Sequence, residues 1–502
     1  MINSRVINIL KTFSENEVKE FERFLKSPFH NTKTNVIHLF LIMKDFRPDY
    51  SDPQLNKKFL TEQLSGNKIV KDSYLRNLLS VLNSLAEDFL GYKHLSKSGR
   101  FEKHIIEELN LREVTNAFEE RLKLFEVSLD SKKSDYQNFY SDKVFVNEMK
   151  GQFYANKILF ESYRKDELKN KLFSFLISML ETTFYFVVEE QRLNIKNEPG
   201  FLKHALEYFK NNTKEIEESP LVKIYYYAFL CFYEKDDEAN FKKFKTSFSN
   251  FKDQLSVFDK KNIFSLISAY YEKKIREGKF SYETDFLLML TEMVEGNLFT
   301  YKNTPYIDLF TIRNIVLLSC RLNETKVLEK FISENKSKIN PGNKDTILNY
   351  TYSFISFMKK DHKKVLSYIS KISFNDFLDT ANTLLPKPQF GKARENYYFK
   401  NDIKCLTLIC FYELGYIEEA LAQIDSHRHF LKNAVHMNED LKLKNKKFLS
   451  FINELINLNL NHDEYKLKQF RKKVVGLEIK KRQFQNWLLE KTDELLQLAV
   501  NS

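Results

Sequence analysis

What most constrains this chain is how rarely it can turn. Only 11 glycines and 9 prolines punctuate 502 residues. A β-rich chain would need a turn about every 8–12 residues, drawn largely from those two residue types. Apolar residues recur instead at steps of three and four, the period of one helix face. The pattern predicts long helices joined by short polar loops, and so an all-α fold. The chain is too long for one compact helical domain, which leaves two or three domains or one extended array.

Composition limits the class further. At 43% hydrophobic residues, the chain has enough apolar surface to bury and is not disordered throughout. Its net charge is +11, which permits contact with nucleic acid or an anionic surface. Lysine, Asn, Ile, Phe and Tyr are abundant together, as a genome-wide nucleotide bias would produce, so the lysines weigh little as a functional signal. The simpler expectation is a solvated lysine surface. Cys231, Cys320, Cys405 and Cys410 each lie in an apolar run without a Cys-x-x-Cys pair, which predicts buried thiols in a reducing, cytoplasmic compartment. The run from Met1 to Leu10 is too short and interrupted for a signal peptide. Leu172–Val188 is broken by Ser174, Ser178 and Glu181 and falls short of the roughly 20 residues of a membrane span. It is expected to be a buried helix, apolar on more than one face, and no membrane partner follows.

Residues 1–96 read as a separate helical unit. Ser14 and Glu17 form a capping box, opening a helix that buries Val18, Phe21, Phe24 and Leu25 and stops at Pro28. Further helices are predicted over 35–46, around Leu55, Phe59, Leu60 and Leu64, and over 72–92. Residues 97–195 carry charged helices, at 118–127 and 136–156, which read as an arm or as the first repeats, and then a long helix over 166–193. In 196–435 the chain repeats itself: Cys231-Phe232-Tyr233-Glu234 recurs as Cys410-Phe411-Tyr412-Glu413. Apolar residues eight apart flank short turns, as Tyr233/Phe241, Cys320/Leu328, Phe357/Val365 and Tyr412/Ala420. The turns centre on Asp236, Asn323, Lys360 and Gly415, with another at Gly278. Gly, Asn and Asp tolerate the left-handed backbone such turns need, and Lys360 suits it poorly. The spacing fits stacked helix pairs, with the segment Pro386–Gly391 as the longest loop.

The run Leu408–Leu421 resembles the tetratricopeptide-like superfamily, which places an aromatic, a turn glycine and a close-packing alanine where Tyr412, Gly415 and Ala420 stand. The other copies keep the apolar spacing without the Gly and Ala. The N-terminal unit and the Trp487–Lys491 segment are similar to those of bacterial helical-repeat proteins to which no activity is assigned. The resemblance implies a helical-repeat solenoid over 196–435, with an N-terminal helical unit before it.

Residues 436–502 then read as capping helices. A long basic helix is predicted there, bearing Lys466, Lys468, Arg471, Lys472, Lys473, Lys480, Lys481 and Arg482 around an apolar stripe of Leu467, Phe470, Val474 and Leu477. Lys466, Lys473 and Lys480 recur every seven residues and make a candidate basic interaction face, either a solvated cap or a phosphate contact. A helix-turn-helix reading of residues 63–85 would bring Lys68, Lys71 and Arg76 to DNA, but its second helix is mostly apolar. Asp425, His427, His429, His436 and Asp440 cluster without the convergent spacing of a metal site. No phosphate-cradling glycine loop, His-Glu-x-x-His or Gly-x-Ser-x-Gly occurs. No catalytic, metal or cofactor residue is therefore assigned. Finally, helices around Ile315–Leu318, Leu348, Ile355, Leu406, Leu408 and Ile409 are apolar nearly all round. The array is then either wound tightly on itself or takes an apolar partner in its groove. The expected role is a non-catalytic scaffold for a protein or peptide partner, with nucleic-acid binding as the alternative.

Overall fold

Helix boundaries fall where the chain supplies a cap or a breaker. The computed structural model describes the chain except for residues 1–3, 66–71, 98, 132–135, 154–159, 193–199, 235–236, 299–304, 374–390, 435–436, 462, 477–481 and 502. The described residues contain helices and no strand, as the scarcity of turn residues predicts. The chain divides into two compact units. One comprises residues 1–130 and 145–163, the other residues 131–144 and 164–502.

The chain opens with α1 (Arg5–Leu10), α2 (Glu15–Lys26), α3 (Thr34–Lys44), α4 (Lys57–Ser65) and α5 (Asp72–Lys97). It continues through α6 (Arg100–Leu111), α7 (Thr115–Ser131) and α8 (Tyr136–Phe153). The capping box before α2 is formed: the Glu17 amide donates to Ser14 Oγ at 3.3 Å and the Ser14 amide to the Glu17 carboxylate at 2.9 Å. Lys93 of α5 reaches Glu17 and Glu20 at 3.1 and 2.6 Å. All of α1 to α4 pack on α5, whose Leu75, Leu78, Leu82, Leu85 and Phe89 are buried. Phe21 meets Phe40 and Phe89 at ring separations of 5.0 and 5.2 Å, which adds edge-on aromatic attraction to the burial. Leu55 is buried but precedes α4. Asn56 Oδ1 accepts from the Phe59 amide at 3.0 Å, so the helix starts after this cap and leaves Leu55 outside it.

The long helix α9 (Phe160–Arg192) buries Phe173, Leu176 and Ile177, yet Leu168 and Phe175 are 72% and 52% exposed. Among the described side chains of this helix, the expectation of burial on several faces is therefore corrected to one covered stripe. Among the described residues no helix is long and apolar enough to cross a membrane.

The second unit continues through α10 (Gly200–Asn211), α11 (Thr213–Glu218), α12 (Pro220–Tyr233), α13 (Asp237–Phe251), α14 (Val257–Arg276) and α15 (Tyr282–Glu295). Then follow α16 (Leu309–Leu322), α17 (Thr325–Asn335), α18 (Lys344–Met358), α19 (His362–Ile369), α20 (Gly391–Glu413) and α21 (Ile417–Asn433). From α14 to α21 each helix packs on the next. In addition α12 touches α14 and α16 touches α18. Four of the five expected turns lie among the described residues, and all are left-handed: Gly278, Asn323, Lys360 and Gly415 have φ of 86, 58, 58 and 70°. Each closes its helix with two backbone bonds. In the last, the Gly415 amide donates to the Tyr412 carbonyl and the Tyr416 amide to that of Phe411. Lys360 adopts the conformation despite its side chain. Asp236 and the segment from Pro386 lie outside the described residues as far as residue 390. Phe241, Leu328, Val365 and Ala420 are buried, whereas their partner Tyr233 is 44% exposed.

The chain ends in α22 (Glu439–Asn461), α23 (Glu464–Val475) and α24 (Arg482–Asn501). The single long basic helix is thus corrected to two helices that pack on one another. Gly476 caps α23, its amide donating to the Lys472 carbonyl at 2.8 Å. Glycine is costly inside a helix and suited to its end. The Trp487 indole and Lys491 ammonium both bond the Glu413 carboxylate, at 2.7 and 3.1 Å, tying α24 to the end of α20.

Candidate functional site

The helices named as apolar all round are indeed covered: Ile315, Val316, Leu317, Leu318, Leu348, Ile355, Leu406, Leu408 and Ile409 are all buried. Some of these residues, together with polar positions of the same helices such as Arg313, Arg321 and Asp402, line a cavity of about 210 Å³ bordered by α14, α15, α16, α18, α20 and α22. Its apolar wall includes Ile275, Phe286, Leu317, Phe354, Leu406 and Ile409. Its charged lining alternates in sign, with Glu272 and Arg276 from α14, Glu283 from α15, Arg313 and Arg321 from α16, Asp402 from α20, and Asp440 and Lys444 from α22. Helical spacing explains the arrangement. Glu272 and Arg276, and likewise Arg313, Leu317 and Arg321, are four residues apart and share a face.

These charges are held by one another. Arg313 forms a two-pronged bond to Asp402, with Nε and Nη2 at 2.6 and 2.9 Å from the two carboxylate oxygens. The Tyr350 hydroxyl donates to Asp402 at 3.0 Å, and the Arg313 guanidinium lies over the Tyr398 ring at 5.3 Å. Burial alone would lower the pKa of Arg313, but the Asp402 charge and bonds hold it above its ordinary value. Burial, reinforced by the Asp402 charge, pushes the Tyr350 hydroxyl well up. Asn314 donates to Glu272 at 2.9 Å. Arg321 Nη1 donates to Glu283 Oε1 at 3.3 Å, while Glu283 Oε2 is buried without a hydrogen-bond partner. Lys444 pairs with Asp440.

Away from this cavity, a thiol lies beside an imidazole. Cys410 Sγ lies 3.8 Å from His362 Nδ1, but burial pushes the thiol up to about 12 and lowers the imidazole, the reverse of an activated pair. Burial likewise takes Cys231 and Cys320 to about 12. None of the four cysteines is in a disulfide.

Of the residues singled out from the sequence, Cys405 and Asp440 line this cavity, whereas Lys466, Lys473, Tyr412, Gly415, Ala420, His427 and His429 do not. On α23 the basic face is matched by carboxylates: Lys466 with Asp463 at 3.1 Å, Arg471 with Asp493 at 2.6 Å, Lys473 with Glu454 at 2.6 Å, and Lys468 with Glu464. Lys480, Lys481 and Leu477 lie outside the described residues. Gly415 forms its turn, Ala420 is fully buried, and the Tyr412 ring meets Trp487 edge-on at 5.3 Å. His427 is buried against Asn401 at 3.1 Å, His429 bonds Asn433, and Asp425 bonds Arg428. His436 lies outside the described residues, among which no group of His, Cys, Asp and Glu could hold a metal ion. Lys68 and Lys71 are also outside them. Sequence reasoning missed Arg313, Asp402 and Glu283. Their signal was available as isolated charges within apolar helices, but which helices share a cavity is not written locally. Comparison with protein families, with curated proteins and with solved structures finds no match.

Proposed function

We propose that the chain is a non-catalytic scaffold, a tetratricopeptide-like solenoid whose groove between α14, α16, α20 and α22 binds an extended segment of a protein or peptide. The observation carrying this reading is the interspersed sign of the charges along a groove that also offers apolar and amide side chains. A polyanion calls for a run of one sign, whereas a peptide chain offers apolar, cationic and anionic groups together. The groove carboxylate Asp402 is held by bonds from both Arg313 and Tyr350, a fixed structural role that supports binding over catalysis. The carboxylates around Lys466 and Lys473 weigh against nucleic acid as the partner. Cysteines without a disulfide, three of the four buried, suit a reducing, cytoplasmic compartment.

The test is selection of a randomised nine-residue peptide library on the wild type and on Asn314→Trp, which fills the groove. Peptides recovered by the wild type should lose binding to the variant while its circular dichroism melt is retained. Equal recovery by both proteins, or no recovery by either, overturns the reading.

A further inference from the structure

The groove carries a preference among peptides. Glu283 stands in the first turn of α15 and is fully buried, yet only its Oε1 is engaged, by Arg321 at 3.3 Å. Among the described residues that border the groove, Glu283 is the one with a buried side-chain oxygen, its Oε2, that has no hydrogen-bond donor. A carboxylate oxygen removed from water without a donor is unfavourable, and a bond to an incoming cation relieves that cost. Three of the groove's four cations are matched by its own carboxylates, Arg313 by Asp402, Arg321 by Glu283 and Lys444 by Asp440, and Arg276 is the fourth. What is unmet in the wall is a place for a donor.

The surroundings fit a long cationic side chain better than a short neutral donor. Ile275, Phe280, Phe286 and Leu317 line the same cavity, apolar surface on which a methylene stem can lie while its charged end reaches the carboxylate. Phenylalanine faces also attract ammonium and guanidinium groups. Glu272, on the neighbouring α14, adds a second negative charge to the wall.

We infer that the segment bound in the groove presents a lysine or arginine whose side chain donates to Glu283 Oε2 and lies along Phe280 and Phe286. This rests on the peptide-scaffold reading above. An acidic segment directed at Arg276 and Arg321 is the competing occupant.

The nine-residue library decides between them by the composition of what it yields. Peptides retained by the wild type and lost on Asn314→Trp should be enriched in Lys or Arg at one position. Replacing that residue by Gln in a recovered peptide should weaken binding about tenfold, as expected for one charge-assisted bond. Against Glu283→Gln, checked for an unchanged melting temperature, the Lys and Gln forms should bind within about threefold of each other. Enrichment in Asp or Glu, or groove-dependent peptides with no basic preference, would overturn this inference and leave the scaffold reading standing. Retention of the full preference by Glu283→Gln would also overturn it. Recovery that ignores Asn314→Trp, or no recovery, would remove both.

Discussion

Arg313 and Asp402 are 89 residues apart in sequence and meet at 2.6 Å. Their side chains are only 13% and 7% exposed, so each charge depends on the other. Asp402→Asn leaves a buried guanidinium with a weakened partner and should destabilise the second unit by about 3–5 kcal/mol, read by urea denaturation. The double replacement Arg313→Met with Asp402→Leu removes both charges and should fall much closer to the wild type. A double variant as unstable as Asp402→Asn would show that the pair contributes more than mutual neutralisation. Ala420 is the second informative residue. It is fully buried in the core shared by Leu408, Ile424 and Leu449, where a larger side chain has no room. Ala420→Phe should cost about 1–3 kcal/mol by overpacking, and an unchanged melting temperature would show that the helices there part without penalty.

At the scale of elements, the repeated device is the left-handed turn closing α14, α16, α18 and α20. Gly415 has open space where a Cβ would stand, so Gly415→Ala meets no clash and should lose only the conformational preference, about 1 kcal/mol. Lys360 already bears that cost, and its ion pair with Glu490 is exposed on both sides, contributing little. Lys360→Gly should therefore be neutral or stabilise by up to about 1 kcal/mol in thermal unfolding. A marked loss would mean the lysine side chain matters to the end of the array. The α2 cap makes a pH prediction. Bonds from the Ser14 amide, then from Lys93, hold the Glu17 carboxyl at about 2, below its ordinary 4.5. Because the folded value is depressed, its stabilisation is present above pH 4.5 and fades as the pH falls towards 2. Glu17→Gln should flatten the acid side of the stability profile across that window. A profile unchanged in shape would place the cap's contribution elsewhere.

For the whole molecule, a net charge of +11 invites a polyanion, but the basic residues of α23 are largely paired with carboxylates. Replacing Lys466, Lys473 and Lys480 together by Gln should change the slope of log K against log salt by less than about one unit. Three phosphate contacts would instead lower it by about 2–3. A titration of duplex DNA across salt concentrations, on wild type and triple variant, reads this directly. Periodicity and the lack of turn residues determined the helices, the Ser14 cap and the left-handed turns, because these depend on contacts between residues a few positions apart. Apolar runs also marked the covered stretches of α16, α18 and α20, although the same reasoning overstated the burial of α9. It misplaced the end of α23, where Gly476 outweighed a continuing apolar stripe. Only the tertiary structure decided that Glu272, Glu283, Arg313 and Asp402 border one cavity. Their helices are joined by packing across long stretches of chain, and a charge's partner in an apolar helix is chosen by which neighbour the stacking brings beside it.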